Sequence, residues 1–335
     1  MAQRPGGAPL SRLRRPCLSA AAVASVLVVS GCGLFIPQST QYGSAGSSPP
    51  EKPTINVGVI NSVDTAPFFI ALNKGYFTQQ GLIVKYQFID SATDTLPGVN
   101  DGSLDIGWGD WPTVMNAQTQ STGNYKIIAD GYQGAPDVQV VSTLPGSGIT
   151  VPQDLAGKTV GIDSTTGASM LGLDAALRTN NVDPNGITFK VVHFADSEAA
   201  LQSHQVDAVV QSEPFITKTE QDLGSKAVLD LFGSGPAQNL SLAGWFTTAM
   251  FAQKYPDTVA AFQRAINQAA GDAASRSTVE QILPTYTQIN AATAALVNLG
   301  TWPTVIDPDR LQRVASLMLT YGLTNIQINL TPLIS

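Results

Sequence analysis

The sequence predicts an α/β fold made of two lobes and a helical C-terminal region. From Thr54 onward, short runs rich in β-branched and aromatic residues alternate with helical patterns, an order typical of βαβ units in a mostly parallel sheet. A second set of such units begins after Pro145-Gly146, and the Gly-rich run at 233–236 ends it. Residues 256–323 are almost wholly helical in pattern. Two such lobes facing each other would form a cleft beyond the carboxyl ends of their strands, where open sheets bind ligands.

Predicted strands and helices alternate along both lobes. In the first lobe we predict strands at 54–60, 83–89, 104–109 and 125–129, with helices at 66–80, 95–100 and 112–120. In the second lobe we predict strands at 159–162, 187–194, 207–211 and 227–231, with helices at 169–180, 197–203 and 214–223. The chain would cross between the lobes near 141–146 and 233–242. We therefore assign 54–141 and 237–335 to lobe 1, and 142–236 to lobe 2.

The first 31 residues predict a secretory signal peptide, because arginines precede a short apolar run that ends in small residues. The run Val29-Ser30-Gly31-Cys32 resembles the lipobox of bacterial lipoproteins. That resemblance implies that Cys32 carries lipid and holds the protein at the extracytoplasmic face of the cell membrane. The apolar run is shorter than the roughly 20 residues that a membrane-spanning anchor needs. Arg14-Arg15 leaves open whether export uses the general or the twin-arginine route, and residues 32–53 predict a flexible tether.

Composition narrows the partners and the chemistry. Without the leader, 14 basic and 25 acidic residues remain, so the net charge is −11, which disfavours nucleic acid and anionic membrane surfaces as partners. Cys17 and Cys32 are the only cysteines of the 335 residues, which leaves the body of the protein without a thiol for disulfides, catalysis or metal binding. We expect a monomer without a cofactor.

Four strand-to-helix turns are candidates for contact with a ligand. In three of them, a capping residue is followed by one further residue and then by a proline. These are Thr65-Ala66-Pro67, Asp110-Trp111-Pro112 and Ser212-Glu213-Pro214. The fourth, Ser164-Thr165-Thr166-Gly167, combines hydroxyl groups with the N–H groups of a helix start, which suits an anion. The alternative for every turn is an ordinary helix cap.

The tryptophans have two interpretations. Trp111 lies at a predicted helix start, outside the strand, and is a candidate stacking platform for a ligand, with core packing as the equal alternative. Trp108 alternates with other apolar residues of a strand and is expected in the core. Trp245, after the second crossing, is a further candidate for ligand contact.

Carboxylates follow several of the predicted strands. Glu213 would accept a hydrogen bond from a ligand N–H group, although the helix dipole also stabilises a carboxylate at a helix start. Asp64 and Asp163 end strands and have the same two interpretations.

Several segments together resemble the nitrate-, sulfonate- and taurine-type substrate-binding proteins of ABC importers. The resemblance covers roughly residues 54–320 in the right order, and each segment alone would be weak. The matching segments are Ala66-Pro67-Phe68-Phe69-Ile70-Ala71 with Gly75-Tyr76-Phe77 and Gly81-Leu82, Gly102-Ser103-Leu104-Asp105-Ile106, Asp154-Leu155-Ala156-Gly157-Lys158-Thr159-Val160-Gly161, and Val206-Asp207-Ala208 with Glu213-Pro214.

The resemblance implies the type 2 periplasmic-binding-protein fold and a small solute held by the four turns. It also implies lobes that close on this solute by a hinge motion and deliver it to an ABC permease and ATPase. The same family includes binders of the thiamine pyrimidine precursor and some cytosolic pyrimidine-forming enzymes. Asp105 and Asp207 are expected to support the fold.

The charge of the four turns bears on the ligand. They contain no Arg or Lys, whereas Asp64, Asp110, Asp163 and Glu213 lie in or beside them. An unpaired carboxylate beside a bound anion is repulsive, and burial enlarges that cost. We therefore favour a nitrogen heterocycle or amine, neutral or cationic. A sulfonate, nitrate or similar anion held by N–H groups of the 164–167 turn remains the alternative.

Two other classes of protein compete with this interpretation. An enzyme is disfavoured, because only His193 and His204 occur and no nucleophile elbow, metal-spaced histidine cluster or phosphate-binding glycine loop is present. We expect His193 to be packed in a strand and His204 to be solvated. A sensory lipoprotein on the same fold is the second alternative, because fold does not determine function.

Overall fold

The computed structural model describes residues 48–120 and 123–334. The predicted signal peptide at 1–31, the proposed lipidation residue Cys32 and the tether up to residue 47 lie outside the described residues. Within the described ranges, no helix has both the length and the apolar character needed to cross a bilayer.

Ten strands in the described part of the chain form two five-stranded sheets. The first sheet has the order β2-β1-β3-β10-β4 and the second has the order β7-β6-β8-β5-β9. We call the bodies built on them lobe 1 and lobe 2. The strands are β1 (Thr54–Val59), β2 (Ile83–Phe88), β3 (Ile106–Asp110), β4 (Tyr125–Gln133), β5 (Gln139–Thr143), β6 (Thr159–Ile162), β7 (Thr188–Val191), β8 (Ala208–Ser212), β9 (Lys226–Asp230) and β10 (Ser241–Thr248).

Both sheets are mixed, because one strand of each sheet runs against the other four, and the prediction of mostly parallel sheets missed this strand. In lobe 1, β1 pairs in parallel with β2 and β3, whereas β10 is antiparallel to β3 and β4. In lobe 2, β6 pairs in parallel with β7 and β8, whereas β5 is antiparallel to β8 and β9. The sequence pattern missed β5 and β10. Each enters its sheet directly from the other lobe, without the crossover helix that a parallel strand needs and that made the other strands recognisable.

Helices cover both sheets and make up most of the C-terminal region. The helix predicted at 66–80 is interrupted, because Gly75 has φ +71° and ends α1 with a left-handed turn. Residues 286–290 and 295–307 are not helical, which shortens the helical tail predicted at 256–323. The helices are α1 (Ala66–Asn73), α2 (Tyr76–Gln79), α3 (Thr95–Asp101), α4 (Trp111–Thr119), α5 (Ala168–Thr179), α6 (Ser197–Gln202), α7 (Phe215–Leu223), α8 (Ala249–Lys254), α9 (Pro256–Ala273), α10 (Arg276–Ile282), α11 (Ala291–Ala294), α12 (Pro308–Thr320) and α13 (Thr331–Ile334).

The chain passes between the two sheets at 134–138 and 231–240. A lobe boundary between residues 141 and 142 would divide β5, all of which pairs within the second sheet. We propose to draw the first boundary at 134–138 and to keep the second within 231–240. The C-terminal helices return to lobe 1, where α9 packs against α1 and the sheet.

The end of the predicted tether is fixed to lobe 1. The Glu51 carboxylate accepts hydrogen bonds from the backbone N–H groups of Asp257 at 3.0 Å and Thr258 at 2.9 Å. These N–H groups belong to the first turn of α9 and have no partner within the helix. Lys52 Nζ lies 2.6 Å from Asp105 Oδ1. Glu51 and Lys52, which the sequence prediction placed in the tether, are therefore attached to lobe 1.

Candidate functional site

A cavity of about 720 Å³ lies between the two lobes. The chain after β1 and β2, the end of β3 and residues 242–243 of β10 form its lobe 1 wall. The chain after β6, β7 and β8, with Gln139 at the start of β5, forms its lobe 2 wall. Residues 287–289 of the C-terminal region complete the lining. The cavity thus lies beyond the carboxyl ends of the strands of both sheets, where open α/β sheets bind ligands.

Three aspartates bring carboxyl groups to this cavity. Asp64 and Asp110 are buried and Asp163 is partly buried, and all three line the cavity. Burial raises the pKa of Asp64 to about 7, and the charge of Asp163 adds to that rise. Burial also raises the pKa of Asp110 and of Asp163 to about 6, with the neighbouring Asp110 charge contributing to the shift of Asp163. A partner that donates hydrogen bonds or carries positive charge would therefore stabilise the ionised form of each carboxylate.

Buried polar atoms without a hydrogen-bond partner are concentrated in the residues that line the cavity. Six of the eleven such side-chain atoms found among the described residues belong to the lining. Four are acceptor oxygens, one is the Trp108 N–H donor and one is a His193 ring nitrogen. Each such atom costs about 1–3 kcal/mol unless it gains a partner. The six atoms are Asn61 Oδ1, Asp64 Oδ1, Trp108 Nε1, Gln139 Oε1, Asp163 Oδ1 and His193 Nδ1.

Acidic groups outnumber basic groups in the lining. Lys218 is the only Lys or Arg among the lining residues, and it is already paired with the carboxylates of Glu198 and Asp222. Asp90 and Asp196 add two more acidic side chains. A bound anion would meet repulsion at this wall, and no free cation among the lining residues would offset it.

Asp110 connects the two lobes. Its Oδ1 accepts a hydrogen bond from Thr113 N–H at 3.0 Å, which caps α4. The same oxygen accepts from Ala168 N–H at 3.2 Å, at the first residue of α5 in lobe 2. The capping role predicted for the Asp110 turn is therefore present, and the carboxylate extends it to a second helix.

Trp111 does not contact the cavity. Its side chain is 0% exposed, and its indole N–H donates to Ser241 Oγ at 2.9 Å. The ring packs against the β10 backbone at Gly244, where an added Cβ would come within 2.5 Å of it. The expectation of a stacking platform is therefore wrong, because the strand that buries Trp111 was missing from the predicted sheet.

Trp108 and Trp245 differ from Trp111 in their surroundings. Trp245 is 2% exposed and packs at 5.1 Å from Trp108 and 5.3 Å from Phe68, so its predicted ligand contact is wrong. Trp108 is expected from the sequence to lie mostly in the core. It is buried, but it also forms part of the cavity wall, and its N–H has no partner.

The Glu213 carboxylate forms hydrogen bonds with other residues of the protein. Its side chain is 1% exposed. The carboxylate accepts from Thr217 N–H at 3.1 Å, from the Thr217 hydroxyl at 2.9 Å and from Asn298 N–H at 3.0 Å. These hydrogen bonds hold the start of α7 to the C-terminal region, so Glu213 is not part of the cavity lining and its predicted role as a ligand acceptor is corrected.

The other predicted turn residues lie beside the cavity and are absent from its lining. The Thr65 hydroxyl donates to the carbonyl oxygens of Ile60 and Ser62, and Ser212 is buried at the end of β8. In the fourth turn, Ser164 Oγ accepts from Thr166 N–H at 3.2 Å, Thr165 is exposed and Gly167 is buried. The residues on either side of this turn, Asp163, Ala168 and Ser169, line the cavity instead.

Most lining residues were not predicted as ligand contacts, among them three that carry unpartnered polar atoms. Asn61 and His193 follow β1 and β7, so the rule that ligands bind beyond strand ends would have found them. Gln139 begins β5, and no pattern pointed to it because that strand was not predicted. His204, in contrast, is exposed.

Comparisons with known proteins agree on the type of protein. The profile of the NMT1/THI5-like family matches residues 62–277. The riboflavin-binding protein RibY of Chloroflexus aurantiacus is 23% identical over 259 residues, which cover 72% of this chain and 69% of RibY. A Brachyspira hyodysenteriae protein assigned to the periplasmic binding proteins of ABC transporters is 25% identical over 220 residues, 61% of each chain.

Among solved structures, the alkanesulfonate-binding protein SsuA of Xanthomonas axonopodis pv. citri, bound to MOPS, has the same fold. Its TM-score is 0.71 at 16% sequence identity, with coverage of 84% of this chain and 98% of SsuA. The predicted periplasmic-binding-protein fold is therefore confirmed.

Proposed function

The chain belongs to the NMT1/THI5-like family, and from this premise we propose that it is an extracytoplasmic substrate-binding protein of an ABC importer. It captures a small solute between its lobes and passes it to the permease and ATPase complex. The similarity to the Brachyspira binding protein and the interlobe cavity support this role. We propose further that Cys32 carries the lipid anchor and that the protein acts as a monomer without catalytic turnover.

We propose that the solute is a nitrogen compound, a heterocycle or an amine, that is neutral or cationic and rich in N–H groups. The unpartnered acceptors of Asn61, Asp64, Gln139 and Asp163 carry this proposal, because a ligand with several donors would give them partners. The Trp108 N–H adds a single donor for an acceptor atom on the solute. The acidic lining favours positive charge.

The size of the cavity supports a solute larger than nitrate. A volume of about 720 Å³ lies within the range of pockets that enclose ring-containing ligands. Similarity to a riboflavin-binding protein points the same way, since riboflavin is a flat nitrogen heterocycle. The similarity to SsuA bound to MOPS is the observation that favours a sulfonate. At 16% identity, this similarity supports only the fold.

Calorimetry on a panel of compounds tests this proposal. The panel contains aliphatic diamines, aminopyrimidines and riboflavin on one side, and ethanesulfonate, taurine and nitrate on the other. At about pH 8, where the three aspartates are ionised, we expect micromolar or tighter binding for a member of the nitrogen group only. Tight binding of ethanesulfonate or nitrate, with no response to the nitrogen group, would contradict the ligand class.

Two variants separate the cavity from the rest of the surface. Asp163→Asn removes a cavity carboxylate and should weaken binding of the nitrogen compound about tenfold or more. Asp309→Asn makes the same chemical change at an exposed site on α12, outside the lining, and should leave the affinity unchanged. Equal effects of the two variants would place the ligand outside the cavity.

A further inference from the structure

The N-terminus of α5 in lobe 2 is occupied by a side chain of lobe 1. Ala168, the first residue of this 12-residue helix, donates its N–H to Asp110 Oδ1 at 3.2 Å. Gly167 precedes it, and a Cβ on this glycine would lie 3.2 Å from Asp110 Oδ2. The lack of a side chain at Gly167 lets the carboxylate approach the helix start closely.

The Asp110 carboxylate takes the place that a bound anion would have at a helix N-terminus, although it belongs to the chain itself. The first N–H groups of a helix have no partner within the helix, and together with the helix dipole they attract negative charge. The Asp110 carboxylate supplies that charge to α5 and to α4 at once, because its Oδ1 also accepts from Thr113 N–H at 3.0 Å. It is buried, with 8% of its surface exposed, at the wall of the cavity.

We infer that Asp110 is a specificity-determining residue that excludes anionic solutes by occupying the α5 N-terminus from within the chain. This inference rests on the proposed function and deepens it, because it names the residue that prevents anion binding. Two effects combine at Asp110. The Ala168 N–H is already engaged, and a second negative group brought to the same helix start would be repelled by the carboxylate at short range.

Asp163 contributes negative charge nearby but cannot act in this way. It follows β6 and lines the cavity, whereas the Ala168 N–H at the start of α5 is bonded to Asp110. Asp163→Asn therefore removes one cavity carboxylate and leaves the helix start occupied. It is the matched control for a change at Asp110.

Asp110→Ser is the variant that tests the inference. Serine is a good N-cap and can keep the hydrogen bond to Thr113 N–H, while its shorter side chain leaves Ala168 N–H free. We would titrate ethanesulfonate into wild type, Asp110→Ser and Asp163→Asn by calorimetry at about pH 8, after checking folding by circular dichroism and melting temperature. We expect Asp110→Ser to bind ethanesulfonate at least about tenfold more tightly than wild type, and Asp163→Asn to gain less than about threefold.

Several outcomes would overturn the inference. They are tight ethanesulfonate binding by wild type, equal gains in the two variants, or no gain in a folded Asp110→Ser protein. If Asp110→Ser does not fold, Asp110→Thr takes its place, because threonine is also an N-cap residue and its short side chain likewise leaves Ala168 N–H free. Its gain should still exceed that of Asp163→Asn, and a gain no larger than the control's would overturn the inference.

The proposed function fails by a different result. If wild type binds neither the nitrogen compounds nor the anions, the transport role loses its support. If the nitrogen compounds bind but Asp110→Ser gains no affinity for ethanesulfonate, only the role of Asp110 is wrong.

Discussion

Single residues of the cavity carry an electrostatic cost that a ligand can remove. Asp64, Asp110 and Asp163 have pKa values raised by burial to about 7, 6 and 6. Carboxyl groups with an ordinary pKa near 4 in the unfolded chain bind protons more readily in this folded protein. Their ionised forms are therefore disfavoured until a cation or a set of N–H donors arrives.

Stability should fall as pH rises through this range. A carboxyl group with a raised pKa in the folded state contributes stability that is fully present below about pH 4 and is lost as pH rises through about 7. Asp64→Asn removes the largest of the three shifts. Between about pH 4 and pH 8, the free energy of unfolding of wild type without ligand should drop by up to about 4 kcal/mol relative to this variant. Parallel pH profiles of the two proteins in urea denaturation would contradict the assignment.

Two tryptophans should respond in opposite ways to the same change. Trp111→Phe loses the hydrogen bond to Ser241 Oγ, so it should lower the free energy of unfolding by about 1–3 kcal/mol and leave ligand affinity unchanged. Trp108→Phe loses an N–H that has no partner in the protein, so it should lower ligand affinity, and its loss of stability should come only from the void left by the smaller ring. Calorimetry and urea denaturation of both variants would measure this. The reverse pattern would restore Trp111 as the ligand contact.

At the scale of secondary-structure elements, sequence patterns identified the turns that follow the strands, but they did not identify the structural roles of the residues in these turns. The starts of α4 and α7 were identified from Asp110-Trp111-Pro112 and Ser212-Glu213-Pro214, but only Asp110 caps its helix, since Pro214 and not Ser212 is the N-cap of α7. The partners of these turns come from β10, α5 and residue 298, which are distant in sequence. Because β10 was not predicted, no local pattern showed that it buries Trp111. The bond from Asn298 to Glu213 joins residues 85 apart in sequence, so no local pattern showed it either.

Glu213 should behave as a support for α7. Glu213→Gln places an amide NH₂ among the N–H donors of Thr217 and Asn298, so it should lower the free energy of unfolding by about 1–3 kcal/mol. Glu220→Gln on the same helix changes an exposed carboxylate and should have an effect below about 0.5 kcal/mol. Urea denaturation compares the two. A fall in ligand affinity without loss of stability in Glu213→Gln would instead make this carboxylate a ligand contact.

On the scale of the whole molecule, the two lobes meet through hydrogen bonds around the cavity. Val63 N–H donates to the Glu213 carbonyl oxygen at 3.2 Å, and the Thr293 hydroxyl donates to Gln221 Oε1 at 2.9 Å. Together with the Asp110–Ala168 contact and the bond from Asn298 N–H to the Glu213 carboxylate, these hydrogen bonds join lobes that the chain also connects by two crossings. Hinge motion between lobes needs only such a limited interface to open and close.

Sequence patterns predicted the two-lobed architecture and a cleft beyond the strand ends, where the cavity lies, but only two of the eleven residues proposed to contact the solute line this cavity. Asp64 and Asp110 were found because they follow β1 and end β3. The others belong to turns next to the cavity, and which side of a turn faces a cleft depends on packing between elements that the pattern does not encode. The composition of the turns did predict that acidic side chains outnumber basic ones at the cavity.

A crystal structure with the tightest-binding member of the compound panel tests the central claim most directly. The account predicts a solute between the lobes, with N–H groups about 3 Å from the carboxylates of Asp64 and Asp163. A solute bound outside the cavity, or an anionic group lying against these two aspartates, would contradict it.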